Sequence, residues 1–282
     1  MNKNYLISIA TFKESENLKK LINDIRLYDK KTKILIINDF SNDKTLEVIS
    51  NIHDKNIEVI ERPKKLGLGT AHLLSILYAI KNKYDFLLTM DADLSHEPKN
   101  IPDLFALAKE KSFVIGSRYC KGGKCDYTGF RKIVSSLGNK IATSILKVKL
   151  KEITTYYRVY DVKLLKMLPF NELKASGYSL GVKIVWFMKI LGADLIETPI
   201  HFKDRNKGKS KIPKMQIIIS ALDLIIIRLS EKFTRRNLNI SNKSYSFEKT
   251  CDACKSNFFS QFKHNIFRCL VCLKKKKILS ND

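Results

Sequence analysis

The run Phe86-Leu-Leu-Thr-Met90 leads straight into Asp91-Ala92-Asp93-Leu94-Ser95-His96. The first five residues are apolar and β-prone, as expected for a strand covered on both faces. Two carboxylates then flank one small residue at the strand's carboxyl end. Side chains alternate along an extended segment, so Asp91 and Asp93 point the same way. Carboxylates that close repel unless a cation is near. A hard divalent ion such as Mg2+ or Mn2+ suits oxygen ligands and bridges to diphosphate oxygens. On the D-x-D pattern alone the competing reading is a solvated turn whose Asp residues cap the next helix.

Outward from this stretch, short β-rich runs alternate with helical periodicity. Strands are expected over Leu6–Ala10, Ile34–Ile37, Ile57–Ile60 and Phe113–Ser117, with a last one over Leu195–Phe202. Helices are expected over Glu16–Leu27, Lys44–Ile52 (capped by Ser41), Thr70–Lys81, Arg131–Lys147 and Tyr178–Leu191. The alternation predicts an α/β fold with a mostly parallel, doubly wound sheet. Ligands of such sheets sit beyond the carboxyl ends of the strands.

The 282 residues suffice for one α/β domain with a small appendage, and 44% hydrophobic content excludes global disorder. Lys and Arg number 52 against 28 Asp and Glu, a formal charge of +24. That excess predicts an anionic partner: nucleic acid, an anionic membrane face or phosphorylated substrates. The N-terminal apolar run is too short for a signal peptide. The apolar stretch Met215–Leu229 contains Asp223 and Arg228 and falls short of a spanning helix. The expectation is a cytoplasmic protein, soluble or peripheral on a membrane.

Four segments in order resemble one family. Asp91-Ala-Asp-Leu-Ser-His96 is similar to the D-A-D-L-S-H of dolichol-phosphate mannose synthases. These are members of glycosyltransferase family 2 with the GT-A fold. Arg62-Pro-Lys-Lys-Leu-Gly-Leu-Gly-Thr70 resembles its R-x-x-K-L-G-L-G-T. Gly116-Ser-Arg-Tyr119 with Gly122-Gly123 resembles G-S-R-Y…G-G, and Asp204-Arg205…Gly208…Ser210-Lys211 resembles D-R-x-x-G-x-S-K. The resemblance covers roughly residues 5 to 220.

The resemblance implies an inverting transfer of a sugar, mannose foremost, from a GDP-mannose-like donor to a dolichyl or undecaprenyl phosphate. An ionised phosphate is already nucleophilic, so positioning and stabilisation of the departing diphosphate suffice. It implies that Ala10, Phe12, Glu14, Ile37 and Asp39 line the nucleotide, with Asp91, Ala92 and Asp93 facing the diphosphate. Asp93 and Ser95 would hold Mg2+ or Mn2+, with Asp91 supporting. Arg118 is a candidate phosphate contact. Arg205 and Lys211 lie on the basic loop Lys203–Lys214, which carries six positive residues against one Asp; they could close over the diphosphate.

The chain departs from the family in places. P-T-Y-N-E is Ala10-Thr-Phe-Lys-Glu14 here, D-D-G-S is Asn38-Asp-Phe-Ser41, and G-Y-x-F-Q-x-E is Gly177-Tyr-Ser-Leu-Gly-Val-Lys183. These changes leave sugar, base and acceptor open. A lipid acceptor would require docking on an anionic membrane surface, directly or through a separate membrane-anchoring protein. Residues 131–147 and 215–229 are candidates to lie in the interface or to pack on the sheet.

The expected domains are 1–230 for catalysis, a linker at 231–246, and a tail at 247–282. In the tail Cys251-x-x-Cys254 and Cys269-x-x-Cys272 have the spacing of a structural zinc site, a zinc-ribbon-like module. Two other readings stay open. One is a family 2 transferase acting on a glycan or other non-lipid acceptor. The other is a basic zinc-ribbon protein binding nucleic acid, which explains the tail but leaves the ordered acidic and Gly-Ser-Arg segments without a role.

Overall fold

A computed structural model describes residues 3–62, 64–170, 173, 177–204, 225, 228–229, 248–250 and 257–259. A seven-stranded sheet organises the chain. Its strands are β1 (Tyr5–Thr11), β2 (Lys33–Asn38), β3 (Ile57–Glu61), β4 (Phe86–Asp91), β5 (Ser112–Ser117), β7 (Arg158–Asp161) and β8 (Asp194–Pro199). They stand in the order β3-β2-β1-β4-β7-β5-β8. A two-residue strand β6 (Lys124–Cys125) pairs with β9 (His201–Phe202). Beyond these, β10 (Glu248–Thr250) and β11 (Asn257–Phe259) form an antiparallel ladder.

Alternation along the strands splits the apolar residues between two cores. Leu6, Leu35, Ile37, Leu87, Phe113 and Ile115 face one side of the sheet. There they meet helices α3 (Leu68–Lys81), α6 (Val162–Leu165) and α7 (Gly177–Ile190). Ile7, Ile9, Ile34, Ile36, Leu88 and Met90 face the other, under α1 (Ser15–Tyr28), α2 (Thr45–Ser50) and α4 (Ile101–Ala106). Helix α1 shows how sequence drives this: Leu18, Leu21, Ile22 and Ile25 recur at helical spacing and are all buried. With both faces covered, the central strands are mostly apolar, as the sequence predicts, with Ser8 and Thr89 buried among the apolar residues.

The structure corrects several expectations. Between β4 and β5 it inserts β7, antiparallel to both. Its sequence, Arg158-Val-Tyr-Asp161, has no apolar run to betray it. Arg158 is nonetheless fully buried, because its guanidinium donates to the carbonyls of Ile153, Thr155 and Gly181 at 2.8, 2.5 and 2.8 Å. The last expected strand breaks at Ile200 into β8 and β9, just after Pro199, which lacks an N–H for the ladder. Ser41 does not cap α2. Its hydroxyl donates to Asn38 Oδ1 at 2.6 Å and accepts from Lys13 N–H at 2.8 Å, clasping the ends of β1 and β2 together.

Helix α5 (Gly129–Leu146) bears on one open choice. Of its apolar stripe, Ile133, Leu137 and Ile141 are exposed, while Ile145 is partly buried against the core. The buried side chains Asn139, Ala142, Thr143 and Leu146 lie on the opposite face. The apolar stretch 215–229 lies outside the described residues except at 225, 228 and 229. No helix among the described residues is long and apolar enough to cross a membrane.

Candidate active site

The order β3-β2-β1-β4 means that successive connections lead away from β1 on one side and return to β4 on the other. In doubly wound sheets the ligand crevice is expected at such a switch point, beyond the strands' carboxyl ends. Ala10 stands there between two partners in register, Ile37 on β2 and Asp91 on β4. The three expected donor contacts at 10, 37 and 91 thus lie side by side.

Backbone conformation marks the same edge. Lys13, Phe40 and Leu94, in the turns that follow β1, β2 and β4, all have positive φ, at 57°, 55° and 63°. An L residue costs about 1–2 kcal/mol in that region, and such strain gathers at functional sites. Phe40 occupies the glycine of the family's D-D-G-S pattern and keeps the backbone conformation that a glycine would serve.

The Leu94 turn folds the acidic segment back on itself. Asp93 Oδ1 accepts from Ser95 N–H at 3.2 Å and from its hydroxyl at 2.5 Å. His96 closes the turn: its Nδ1 accepts from Asp91 N–H at 3.0 Å, and its Nε2 lies 2.9 Å from Thr155 Oγ1. The ring stacks on Tyr157, with centroids 4.8 Å apart. Burial pushes the His96 pKa down to about 3, against the attraction of Asp93. The imidazole is therefore neutral, and its 3.8 Å approach to Asp91 Oδ2 is not an ion pair. Asp91 keeps its side chain 27% exposed, whereas Asp93 is buried.

The donor set at this turn is two carboxylates and a hydroxyl, all hard oxygens, which fits Mg2+ or Mn2+. Among the described residues no three His, Cys, Asp or Glu side chains converge as a closed cage.

Asp39 is tied into the fold. It accepts from Leu66 N–H at 2.6 Å and Gly67 N–H at 2.7 Å, and it meets the buried guanidinium of Arg62 at 2.6 Å. It thereby fixes the loop leading into α3. Phe12 lies beneath Lys65, whose Nζ is 4.1 Å from the ring centroid. Glu14 accepts from Asn17 at the start of α1. Ile37 and Ala92 are buried in the two cores.

Arg118 sits at the end of β5 with its Nε 2.6 Å from Glu152 Oε2 and its Nη2 3.0 Å from Thr154 Oγ1. Gly123 explains the paired glycines after it: a Cβ there would lie 2.5 Å from the carbonyl oxygen of Ser117. Lys183, at the family's Glu position, is buried on α7. Arg205, Lys211 and the four tail cysteines lie outside the described residues. His96 and Thr155, which set the acidic turn, are absent from the sequence-based site. His96 is visible in the motif, but Thr155 lies 59 positions away in sequence and carries no local signal.

The chain matches the family described as Glycosyl transferase family 2 over residues 6–168. It is 31% identical over 210 residues to "Undecaprenyl-phosphate mannosyltransferase" of Micrococcus luteus, covering 73% of this chain and 86% of that one. It is 30% identical over 212 residues to "Polyprenol monophosphomannose synthase" of Mycolicibacterium smegmatis, covering 73% and 80%. In three dimensions it resembles mannosyl-3-phosphoglycerate synthase from Rubrobacter xylanophilus, with a TM-score of 0.62 at 16% identity over 82% of this chain and 75% of that one. That likeness establishes the shared GT-A-like α/β fold.

Proposed function

The chain belongs to glycosyl transferase family 2 and is a glycosyltransferase, and from that premise we propose that it moves mannose from a nucleoside-diphosphate sugar to a polyprenyl phosphate. The observation that carries this reading is the acidic turn Asp91–His96, held at the switch point beside Ala10. The names of the relatives in Micrococcus and Mycolicibacterium support the mannosyl donor and the polyprenyl acceptor.

Asp91 and Asp93, with Ser95, would hold a divalent ion against the diphosphate. When bound, such an ion neutralises charge developing on the leaving group. The chain's own residues do the rest. His96, kept neutral and pinned between Asp91 N–H and Thr155, fixes the turn that aims the carboxylates. Phe12 with Lys65 and the β1 and β2 ends flank the space for the nucleoside. Arg205 and Lys211, on the basic loop Lys203–Lys214, would contact the diphosphate. The acceptor phosphate is anionic and attacks without a general base, opposite the departing diphosphate, with inversion. The acceptor's isoprenoid tail would bring the reaction to a bilayer surface.

The tail is a separate matter. Cys251 and Cys254 fall in sequence between β10 and β11, two strands that pair antiparallel, and that setting supports a four-cysteine zinc module completed by Cys269 and Cys272. Metal analysis of reduced, freshly purified chain should give one zinc per molecule.

The test of the main reading is a donor and acceptor matrix. GDP- and UDP-sugars are incubated with Mg2+ or Mn2+ and a short-chain isoprenyl phosphate, and products are weighed by mass spectrometry. A hexosyl isoprenyl phosphate formed from GDP-mannose is expected. Transfer to soluble glycans with none to the isoprenyl phosphate would move the chain to another acceptor class.

A further inference from the structure

Helix α5 has two apolar faces. Ala142 and Leu146 face the protein. On the other face Phe130, Ile133, Val134, Leu137 and Ile141 recur at helical spacing and are exposed by 81, 63, 40, 52 and 50%. Single exposed apolar side chains are ordinary, but a continuous stripe of five is not. The helix and the segment after it contain Arg131, Lys132, Lys140, Lys147, Lys149 and Lys151, all exposed, with no Asp or Glu from Gly129 to Lys151. Arg131 is paired with Asp204. The other five are exposed cations on the helix and the segment after it.

The helix is also wired to the site. Ser135 Oγ meets the hydroxyl of Tyr119, beside Arg118, at 2.7 Å. Asn139 accepts from Ile153 N–H at 2.9 Å and donates to Thr154 Oγ1 at 3.3 Å, in the segment whose next residue, Thr155, holds His96. At the N-terminal end, Arg131 binds Asp204, the acidic residue of the basic loop.

We propose that α5 is the chain's bilayer-docking element, lying in the plane of an anionic leaflet with Phe130, Ile133, Leu137 and Ile141 among the lipid chains and its lysines at the headgroups. An apolar face accompanied by exposed cations is the chemistry an anionic interface selects. The connections to Tyr119, Thr154 and Asp204 mean that docking this face holds the catalytic crevice at the depth where a lipid-borne phosphate arrives. This use of the face rests on the polyprenyl-phosphate reading; the docking itself stands or falls separately.

The full chain is tested by co-sedimentation with vesicles of phosphatidylcholine containing phosphatidylglycerol. The wild type should bind, and the double variant Ile133→Asp/Leu137→Asp, altered at exposed positions, should lose at least tenfold in affinity while keeping its circular dichroism. A Leu137→Trp variant should shift its emission to the blue on vesicle addition and be quenched by brominated lipid. Unchanged binding by the double variant, or absence of wild-type binding, overturns the proposal. So does a Trp shift that grows with protein concentration without lipid, which would make the face a contact between copies. Turnover of a short, water-soluble isoprenyl phosphate without vesicles should be equal in wild type and double variant, whereas KM for a long-chain acceptor in vesicles should rise at least fivefold. Lack of turnover with every isoprenyl phosphate would instead reject the acceptor assignment and leave the vesicle result intact.

Discussion

Arg118 Nε lies 2.6 Å from Glu152 Oε2, and both side chains are buried. Glu152 Oε1 meanwhile accepts from Thr154 N–H and hydroxyl at 2.9 and 2.6 Å. Burial raises the Glu152 pKa, but the charge and hydrogen bond of Arg118, with Thr154, hold it below the ordinary carboxylate value. Arg118 thus ties the end of β5 to the segment that leads into β7. Glu152→Ala would leave a buried cation uncompensated and is expected to cost about 3–5 kcal/mol in urea denaturation. A loss under about 1 kcal/mol would show that the pair is dispensable.

Asp93 carries a different kind of expectation. Its removal leaves the Leu94 turn with His96 and Thr155 still bonded, so the fold should survive. Asp93→Ala should lower kcat by about a hundredfold or more, corresponding to about 3 kcal/mol of lost transition-state stabilisation, with near-native circular dichroism. Activity within threefold of wild type would remove the carboxylate from the reaction.

Phe40 holds a left-handed backbone conformation at φ 55° while nearly half its side chain is exposed. Phe40→Gly relieves the steric cost but gives up the covered half of the ring, so the two effects should nearly cancel and the unfolding free energy should change by less than about 1 kcal/mol. Thermal unfolding checks this; a larger loss would mean that the Phe40 ring packs productively.

His72 is buried on α3, stacked on Tyr156 with ring centroids 3.8 Å apart. Neither of its ring nitrogens has a hydrogen-bond partner among the described residues. Burial, aided by the positive charge of Arg158, pushes its pKa down to about 3. Unfolded, the ring takes up a proton near pH 6.5. Between those values the unfolded state binds more protons, so stability falls as pH drops through this window. His72→Phe keeps the stacking and removes the titration. The slope of unfolding free energy against pH should shrink by up to about 1.4 kcal/mol per pH unit between about pH 6 and 4. An unchanged slope would show that His72 is not a titrating group in acid unfolding.

Much of the fold was legible because its signals are local. The apolar runs Ile34–Ile37 and Phe86–Met90 have the composition of doubly covered strands, and Leu18, Leu21, Ile22 and Ile25 write a helix face in the sequence. The acidic turn was legible for the same reason. What escaped depends on partners far along the chain. Strand β7 is buried through an arginine whose carbonyl acceptors are distant in sequence or on the adjoining loop. Asp39 has the composition of a ligand contact, yet its geometry is set by Leu66, Gly67 and Arg62. The outward stripe of α5 has the periodicity of a core face, and periodicity alone does not say which side of a helix is the inside.

The insertion of β7 bears on how the chain is born. Synthesis delivers β1 through β5 well before Arg158 leaves the ribosome, so the β7-facing edge of β4 stays bare meanwhile. That edge, Phe86-Leu-Leu-Thr89, offers unpaired backbone groups on an apolar strand, an invitation to the wrong neighbour. The nascent molecule therefore needs either a chaperone's shelter or rapid completion, and mutations that delay the seating of Arg158 should show first as lost soluble yield, before any loss of catalysis.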